Sequence, residues 1–222
     1  MATIAMRKPH ADRPIEGMMA KWYAANTGEM MQEYIELAHR ISKELANGSR
    51  VLEVAPGPGY FCIELAKRGS YSITGMDLSR TFVKMATEKA VQADAAVNFV
   101  QGSASNMPFP ADSFDFLLCR AAFKNFADPV GALEEMCRVL KPGGRALLID
   151  LSRDARPDDV SRAVDKMGLT AVNRFLTKVA FKTMLIRSAY TRAEFEQMLA
   201  RTHFAHTKIS ADGIGFEIRM TK

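Results

Sequence analysis

The stretch "VLEVAPGPGYFCIELAK", residues 51–67, carries an apolar run past an acid, Glu53, through Pro-Gly-Pro-Gly and into helical periodicity. The run reads as a strand, the periodic part as a helix and the glycines as the turn between them. In a doubly wound sheet such a turn lies at the carboxyl edge, where ligands bind. Gly57 and Gly59 let a ligand approach bare backbone. Pro56 and Pro58 stiffen the loop but remove two N–H donors, which a pyrophosphate cradle needs. Cys62 stands where the third glycine of a dinucleotide fingerprint belongs, and no Gly-Lys-Ser/Thr follows. The loop suits a closely held ligand that is not a phosphate, and a dehydrogenase is a remote reading.

Outward from this stretch, short apolar runs alternate with helical ones. The expected strands are 50–55, 71–76, 97–100, 114–119 and 145–151, with helices near 60–68, 79–92 and 129–140. The third helix has Asp128 as its cap and Pro129 at its first position, and Leu133, Met136, Cys137 and Leu140 line one face. "KPGG", 141–144, is expected to stop it and turn the chain. "TRAEFEQMLA" carries a capping box, Thr191 with Glu194. Two last strands, 206–210 and 214–220, are close enough to form an antiparallel hairpin. The expected fold is α/β, a doubly wound, Rossmann-like sheet of mostly parallel strands. Residues 1–222 form a single domain in this reading. Residues 1–46 make an N-terminal helical cap, and 155–190 a helical insertion that forms part of an acceptor pocket.

At 222 residues, 48% hydrophobic and 25% charged, the chain has an ordinary globular balance. No apolar run reaches the roughly 20 residues of a membrane span, and the first residues hold charges and prolines where a signal peptide needs an apolar core. A soluble, cytoplasmic protein is expected. Three unevenly spaced cysteines, Cys62, Cys119 and Cys137, and four scattered histidines offer no metal site. His203 and His206 read as structural, and Cys119 as a small buried hydrophobe. The net charge of +5 is carried by residues 153–192, with nine Lys or Arg against four Asp or Glu. Such a segment attracts nucleic acid, an anionic or membrane-borne substrate, or a membrane surface, but a solvated helix face is the favoured reading. Of 14 methionines, the pairs Met18-Met19 and Met30-Met31 fall in the N-terminal helical region. Core filling is the favoured reading for them, ahead of an adaptable pocket wall.

The acids at the first two strand ends narrow the ligand. Glu53 repels a phosphate and attracts an ammonium or sulfonium. Asp77, in "ITGMDLS", is placed to accept from two ribose hydroxyls. A ligand with ribose at one end and a cationic amino-acid tail at the other satisfies both, and S-adenosylmethionine (SAM) is such a ligand.

Four stretches, "VLEVAPGPGYFCIELAK", "GMDLS", "NFVQGSASNMPFPADSFDFLLCRAAFKNFADP" and "ALEEMCRVLKPGGRALLIDLS", resemble in order and spacing the class I SAM-dependent methyltransferases of the small-molecule type. The likeness covers about residues 45–152 and leans, loosely, toward the quinone C-methyltransferase branch. It implies a seven-stranded sheet with a reversed C-terminal strand. It also implies that Glu53, Gly57 and Gly59 hold the methionine part of the cofactor and Asp77 the ribose. Met76 and Leu78 would flank the adenine, Ser103 and Ala104 would meet its edge, and Arg120 would stand beside it. The family commonly has glycine at the place of Ala55 and an acid at the place of Ser103. The Ala55 methyl narrows the loop, and Ser103, whose hydroxyl can still accept, should weaken cofactor binding by about 1 kcal/mol.

Methyl transfer is an in-line displacement with a good leaving group, so positioning carries much of it. No strong base presents itself, and a phenol or hydroquinone that ionises itself would need none. Tyr23, Lys124 and Asn125 are the candidates for orienting the acceptor. By the resemblance Trp22 and Tyr23 would close over the cofactor; the equal alternative is an aromatic staple onto the sheet. The expected activity is C- or O-methylation of a small aromatic or amphipathic acceptor by a monomer or homodimer. The rival readings are a SAM-binding regulatory or assembly protein without turnover and a nucleic-acid methyltransferase. Nucleic acid is disfavoured as a partner because no Asn/Asp-Pro-Pro-Tyr/Phe run occurs.

Overall fold

The computed structural model describes residues 14–28, 31–165, 181 and 185–222. Met30 and most of 166–184, within the expected insertion, lie outside them. The strands are β1 (Arg50–Val54), β2 (Ser72–Asp77), β3 (Val97–Gln101), β4 (Phe114–Arg120), β5 (Leu140–Leu151), β6 (His206–Asp212) and β7 (Gly215–Thr221). They form one seven-stranded sheet in the order β3-β2-β1-β4-β5-β7-β6. β1 to β5 pair in parallel, and β7 runs antiparallel between β5 and β6. The expected hairpin of the last two strands is present.

Two apolar layers cover the sheet, and successive strand residues feed opposite layers. Val51, Phe116, Leu118 and Leu147 pack on one side with α2 (Met31–Ser42), α3 (Tyr60–Ala66) and α4 (Arg80–Gln92). Leu52, Leu117, Cys119 and Leu148 pack on the other with α5 (Pro129–Val139) and α7 (Arg192–Leu199). An N-terminal helix, α1 (Gly17–Gly28), and a helix after β5, α6 (Pro157–Asp165), complete the described set with short turns at Phe123–Asn125 and Ile186–Ser188.

The caps read from sequence are made as expected. The Asp128 carboxylate accepts from the Gly131 N–H at 2.9 Å, and Thr191 and Glu194 form a reciprocal capping box. The segment 141–144 behaves differently from its expected turn. It ends α5, but β5 starts at Leu140, opposite Phe114, and the ladder absorbs Pro142 and the glycines as an irregularity before Arg145 pairs with Phe116. Gly143, at φ +75°, supplies the left-handed step this needs. Core filling fails for Met18 and Met19, which are 86% and 63% exposed.

β1 and β4 end on alanines in the left-handed region, Ala55 and Ala121, both at φ +58°. Each donates one more ladder bond, to Met76 O (2.8 Å) and Ile149 O (2.7 Å), before the chain leaves the sheet. A left-handed L-residue costs roughly 1–2 kcal/mol. Ala55→Gly should therefore raise stability by about 0.5–1 kcal/mol after the entropy glycine adds to the unfolded chain. The measurement is a higher urea midpoint at unchanged slope.

Candidate functional site

The sheet order reverses between β1 and β4, and the carboxyl ends of β2, β1, β4 and β5 open side by side into one cavity of about 970 Å³. Strand-end charges line it: Asp77, Glu53, Arg120 and Asp150. Helix α1 roofs part of it with Tyr23, and α2 contributes Glu33 and Tyr34.

Asp77 ties two loops together. Its Oδ2 accepts from the Gly57 N–H (3.0 Å) and its Oδ1 from the Ser79 N–H (2.9 Å). The first bond pins the glycine loop after β1 to the tip of β2, and the second opens α4. Each oxygen keeps acceptor capacity for a ligand. Burial nevertheless holds the Asp77 carboxyl above its ordinary value, against the lowering effect of those backbone bonds.

Glu53 is 3% exposed. Burial pushes its carboxyl up to about 7, although a hydrogen bond from Cys62 and the Arg120 guanidinium pull it down. The Cys62 Sγ donates to Glu53 Oε2 at 2.9 Å. Among the described residues neither Glu53 nor Asp77 has an ion-pair partner. Arg120 is engaged by Glu33 and lies 4.5 Å from the centre of the Tyr34 ring.

At the other end of the cavity, Lys124 and Asp150 form a buried ion pair at 2.9 Å, with side-chain exposures of 8% and 1%. Lys124 Nζ also donates to Ala121 O at 2.7 Å. An ammonium has three donors, so one N–H remains for the cavity that Lys124 lines. Asp150 further accepts from the backbone N–H groups of Lys124 (3.0 Å) and Leu151 (2.7 Å). Toward this pair the lining is mostly apolar, with Phe126, Ile149, Leu151, Leu185 and Ile214, and polar at Asn125 and Asp212.

Gly57, Met76, Leu78, Ser103, Ala104 and Asn125 also line the cavity. Tyr23 lies over the glycine loop: a Cβ built on Gly57 would stand 3.8 Å from its ring. Gly59 does not line the cavity. It sits one layer back at φ +80°, where a Cβ would come within 2.7 Å of Phe99 and 2.9 Å of Ala86, so its smallness serves packing. Trp22 is 65% exposed and does not line the cavity, and His203 and His206 are exposed and away from it. Sequence reasoning missed Asp150, Glu33, Tyr34 and the role of Cys62. Asp150 had a readable signal, an acid ending an apolar strand as Glu53 and Asp77 do. Among the described residues no group of three or more His, Cys, Asp or Glu could hold a metal ion.

Residues 52–148 match a family model described as a methyltransferase domain. The chain is 42% identical over 102 residues to the demethylmenaquinone methyltransferase of Deinococcus radiodurans, covering 46% of this chain and 42% of that protein. It is 33% identical over 143 residues to the ubiquinone/menaquinone biosynthesis C-methyltransferase UbiE of Rickettsia massiliae, covering 58% of each. The matches thus span about half the length of these curated relatives. A solved Methanococcus maripaludis structure, assigned to the S-adenosyl-L-methionine-dependent methyltransferases, aligns over 96% of both chains with a TM-score of 0.75 at 20% identity, a likeness of fold. Residues 52–148 are thus similar to a methyltransferase domain, and the chain is related at moderate identity to the quinone methyltransferases over that part.

Proposed function

We propose that this chain transfers a methyl group from SAM to a small, apolar or amphipathic aromatic acceptor bearing an oxygen next to the methylated position. The observation that carries the reading is one continuous cavity with two chemically distinct ends. At one end are two buried acids, unpaired among the described residues, beside bare backbone at Gly57. At the other is a single buried ammonium, held by Asp150, in a mostly apolar wall.

The residues fit the cofactor. Two desolvated carboxylates facing a cavity are costly unless a cation or hydroxyl donors enter. Glu53 would face the ammonium of the methionine part and Asp77 the ribose hydroxyls. Met76 and Leu78 would flank the adenine, Ser103 and Ala104 would meet its edge, and Tyr23 would cover the loop. When bound, SAM supplies an electrophilic methyl group on a sulfonium and a neutral thioether leaving group. The chain's contribution is to orient the acceptor and exclude water. Lys124, steered by Asp150 and the Ala121 carbonyl, donates its remaining N–H to the acceptor oxygen and favours that oxygen as an anion. Burial raises the Tyr34 hydroxyl to about 12 and raises that of Tyr23 as well. Neither serves as a base near neutrality, which suits an acceptor that ionises itself. The described residues of 155–190 and of the N-terminal helices would cap the cavity, and Tyr34, Ala163 and Leu185 on its wall support that assignment. The names of the relatives above support a quinone-type ring as acceptor and carbon as the methylated atom.

Three measurements test the reading. First, Glu53→Ala should weaken SAM binding by about 10–100-fold, as loss of a charged hydrogen bond does, and Asp77→Ala by more, because it also frees the Gly57 and Ser79 N–H groups. With Glu53 near 7 in the free protein, a cationic ligand that requires its ionised form must displace a proton at lower pH. Affinity should fall by up to about tenfold per pH unit below 7 and level off above it. Calorimetry in two buffers counts the proton, and Glu53→Gln should abolish the slope; a flat profile in the native chain would contradict the assignment.

Second, Lys124→Met should cost about 3–5 kcal/mol by stranding the Asp150 charge, and Lys124→Met with Asp150→Asn should recover most of it. In that double variant turnover should drop while SAM affinity holds. Third, labelled methyl should pass from SAM to a hydroquinone or phenol within a panel of acceptors. SAM binding with no transfer across the panel would favour a regulatory role without turnover.

A further inference from the structure

Helix α1 partitions its side chains the wrong way round for a surface helix. In "GMMAKWYAANTG" the small residues Ala20 and Ala24 are 0% and 5% exposed, whereas Met18, Met19 and Trp22 are 86%, 63% and 65% exposed. Apolar residues run all the way around it, the pattern of a helix covered on both sides. Of the five large hydrophobics exposed among the described residues, four, Ile15, Met18, Met19 and Trp22, fall within eight residues; the fifth is Val91 of α4.

This face is fixed in place. The Glu16 carboxylate accepts from the Arg80 and Thr81 N–H groups at 2.9 and 3.0 Å, and Gly17 N–H donates to Thr81 Oγ1 at 3.1 Å. Ser79 Oγ donates to Ile15 O at 2.6 Å, and Tyr60 donates to Ala24 O at 3.0 Å. The start of α1 thus caps α4, and its alanine side is docked against the body. The methionines and the tryptophan cannot turn inward without breaking these bonds.

We propose that the outward face of α1 is a docking surface for an anionic lipid bilayer. Its chemistry is that of an interfacial helix. Methionine adapts to disordered acyl chains, and tryptophan has an apolar body with one polar edge suited to the headgroup level. Charge points the same way. Lys21 is exposed on α1 itself, and with Arg80, Lys84 and Lys89 of the neighbouring α4 it gives four cations against two acids, Glu16 and Glu88. A second copy of the chain fits less well. A stable dimer needs roughly 800 Å² from each partner, more than one face of a 12-residue helix supplies. The patch also meets the cavity, since Ile15 belongs to both and Pro14 and Tyr23 of the same segment line the wall.

Trp22 is the chain's single tryptophan, so its emission reports the patch directly. The full chain is titrated with vesicles of phosphatidylcholine, with and without phosphatidylglycerol, and with vesicles carrying brominated acyl chains. The expected result is co-sedimentation with the phosphatidylglycerol vesicles, a blue shift of Trp22 and its quenching by bromine. Met18→Ser with Met19→Ser should lower partitioning about tenfold or more while circular dichroism and calorimetric SAM affinity stay as in the native chain. Unshifted emission with no co-sedimentation would overturn the proposal. So would a blue shift that grows with protein concentration without vesicles, alongside a dimer mass, which would assign the face to a second copy. Neither outcome touches SAM binding, so the methyltransferase reading stands or falls separately.

Discussion

One carboxylate, Asp77, holds the carboxyl edge of the sheet together. Its two oxygens accept from the backbone of two different loops, Gly57 after β1 and Ser79 at the start of α4. Ser79 in turn caps α4 and donates to Ile15 O, so the same chain of bonds reaches the N-terminal segment. Removing that acid would release the glycine loop, the α4 start and the roof of the cavity at once. A side chain with this much backbone work is a poor candidate for a free-standing ligand contact. Its value for binding lies in the acceptor capacity left over, on an oxygen pair already oriented.

The parts legible in sequence were those decided by neighbours in the chain. Strand runs, the Asp128 cap and the Thr191–Glu194 box depend on contacts three residues apart or on simple alternation. The acids Glu53 and Asp77 were legible because a strand end beside glycine is a local signal. What escaped was long-range. Lys124 and Asp150 are 26 residues apart and meet only because β4 and β5 are neighbours in the sheet. Arg120 and Glu33 are 87 residues apart. Cys62 read as a missing glycine; its thiol reaches Glu53 because the first turn of α3 folds back over the tip of β1. Gly59 read as a ligand contact, but its constraint comes from Phe99, on a strand two places away.

The exposed methionines failed for a different reason. Apolar residues in a helix are expected inside, because most surface helices have one covered face. That inference presumes the protein is the only thing available to cover them. α1 keeps Ala20, Ala24 and Tyr23 for the fold and Met18, Met19 and Trp22 for the outside, and no count of hydrophobic residues distinguishes the two uses. The basic excess raises a parallel question. It lies in 153–192 by sequence, yet the cations beside the apolar face are Lys21 and those of α4. Charge along the chain and charge over the surface are different quantities, and only the second steers a partner.

The free site stores cost in three places: alanines at φ +58° ending β1 and β4, and a buried acid between them. For Glu53 the sign of the cost follows from linkage. Its folded value, about 7, lies above the ordinary 4.5, so the native state holds the proton more tightly than the unfolded chain does. The stability this contributes is complete below the ordinary carboxyl value and is lost as pH rises through 7. A cationic ligand reverses the preference, since it favours the ionised form. Near neutrality the free fold gains from the proton and the bound state gains from its loss. The site is therefore least comfortable, when empty, at the pH where it is most ready to bind. Strain and desolvation of this kind persist at a strand edge because the two apolar layers behind it hold the backbone in place.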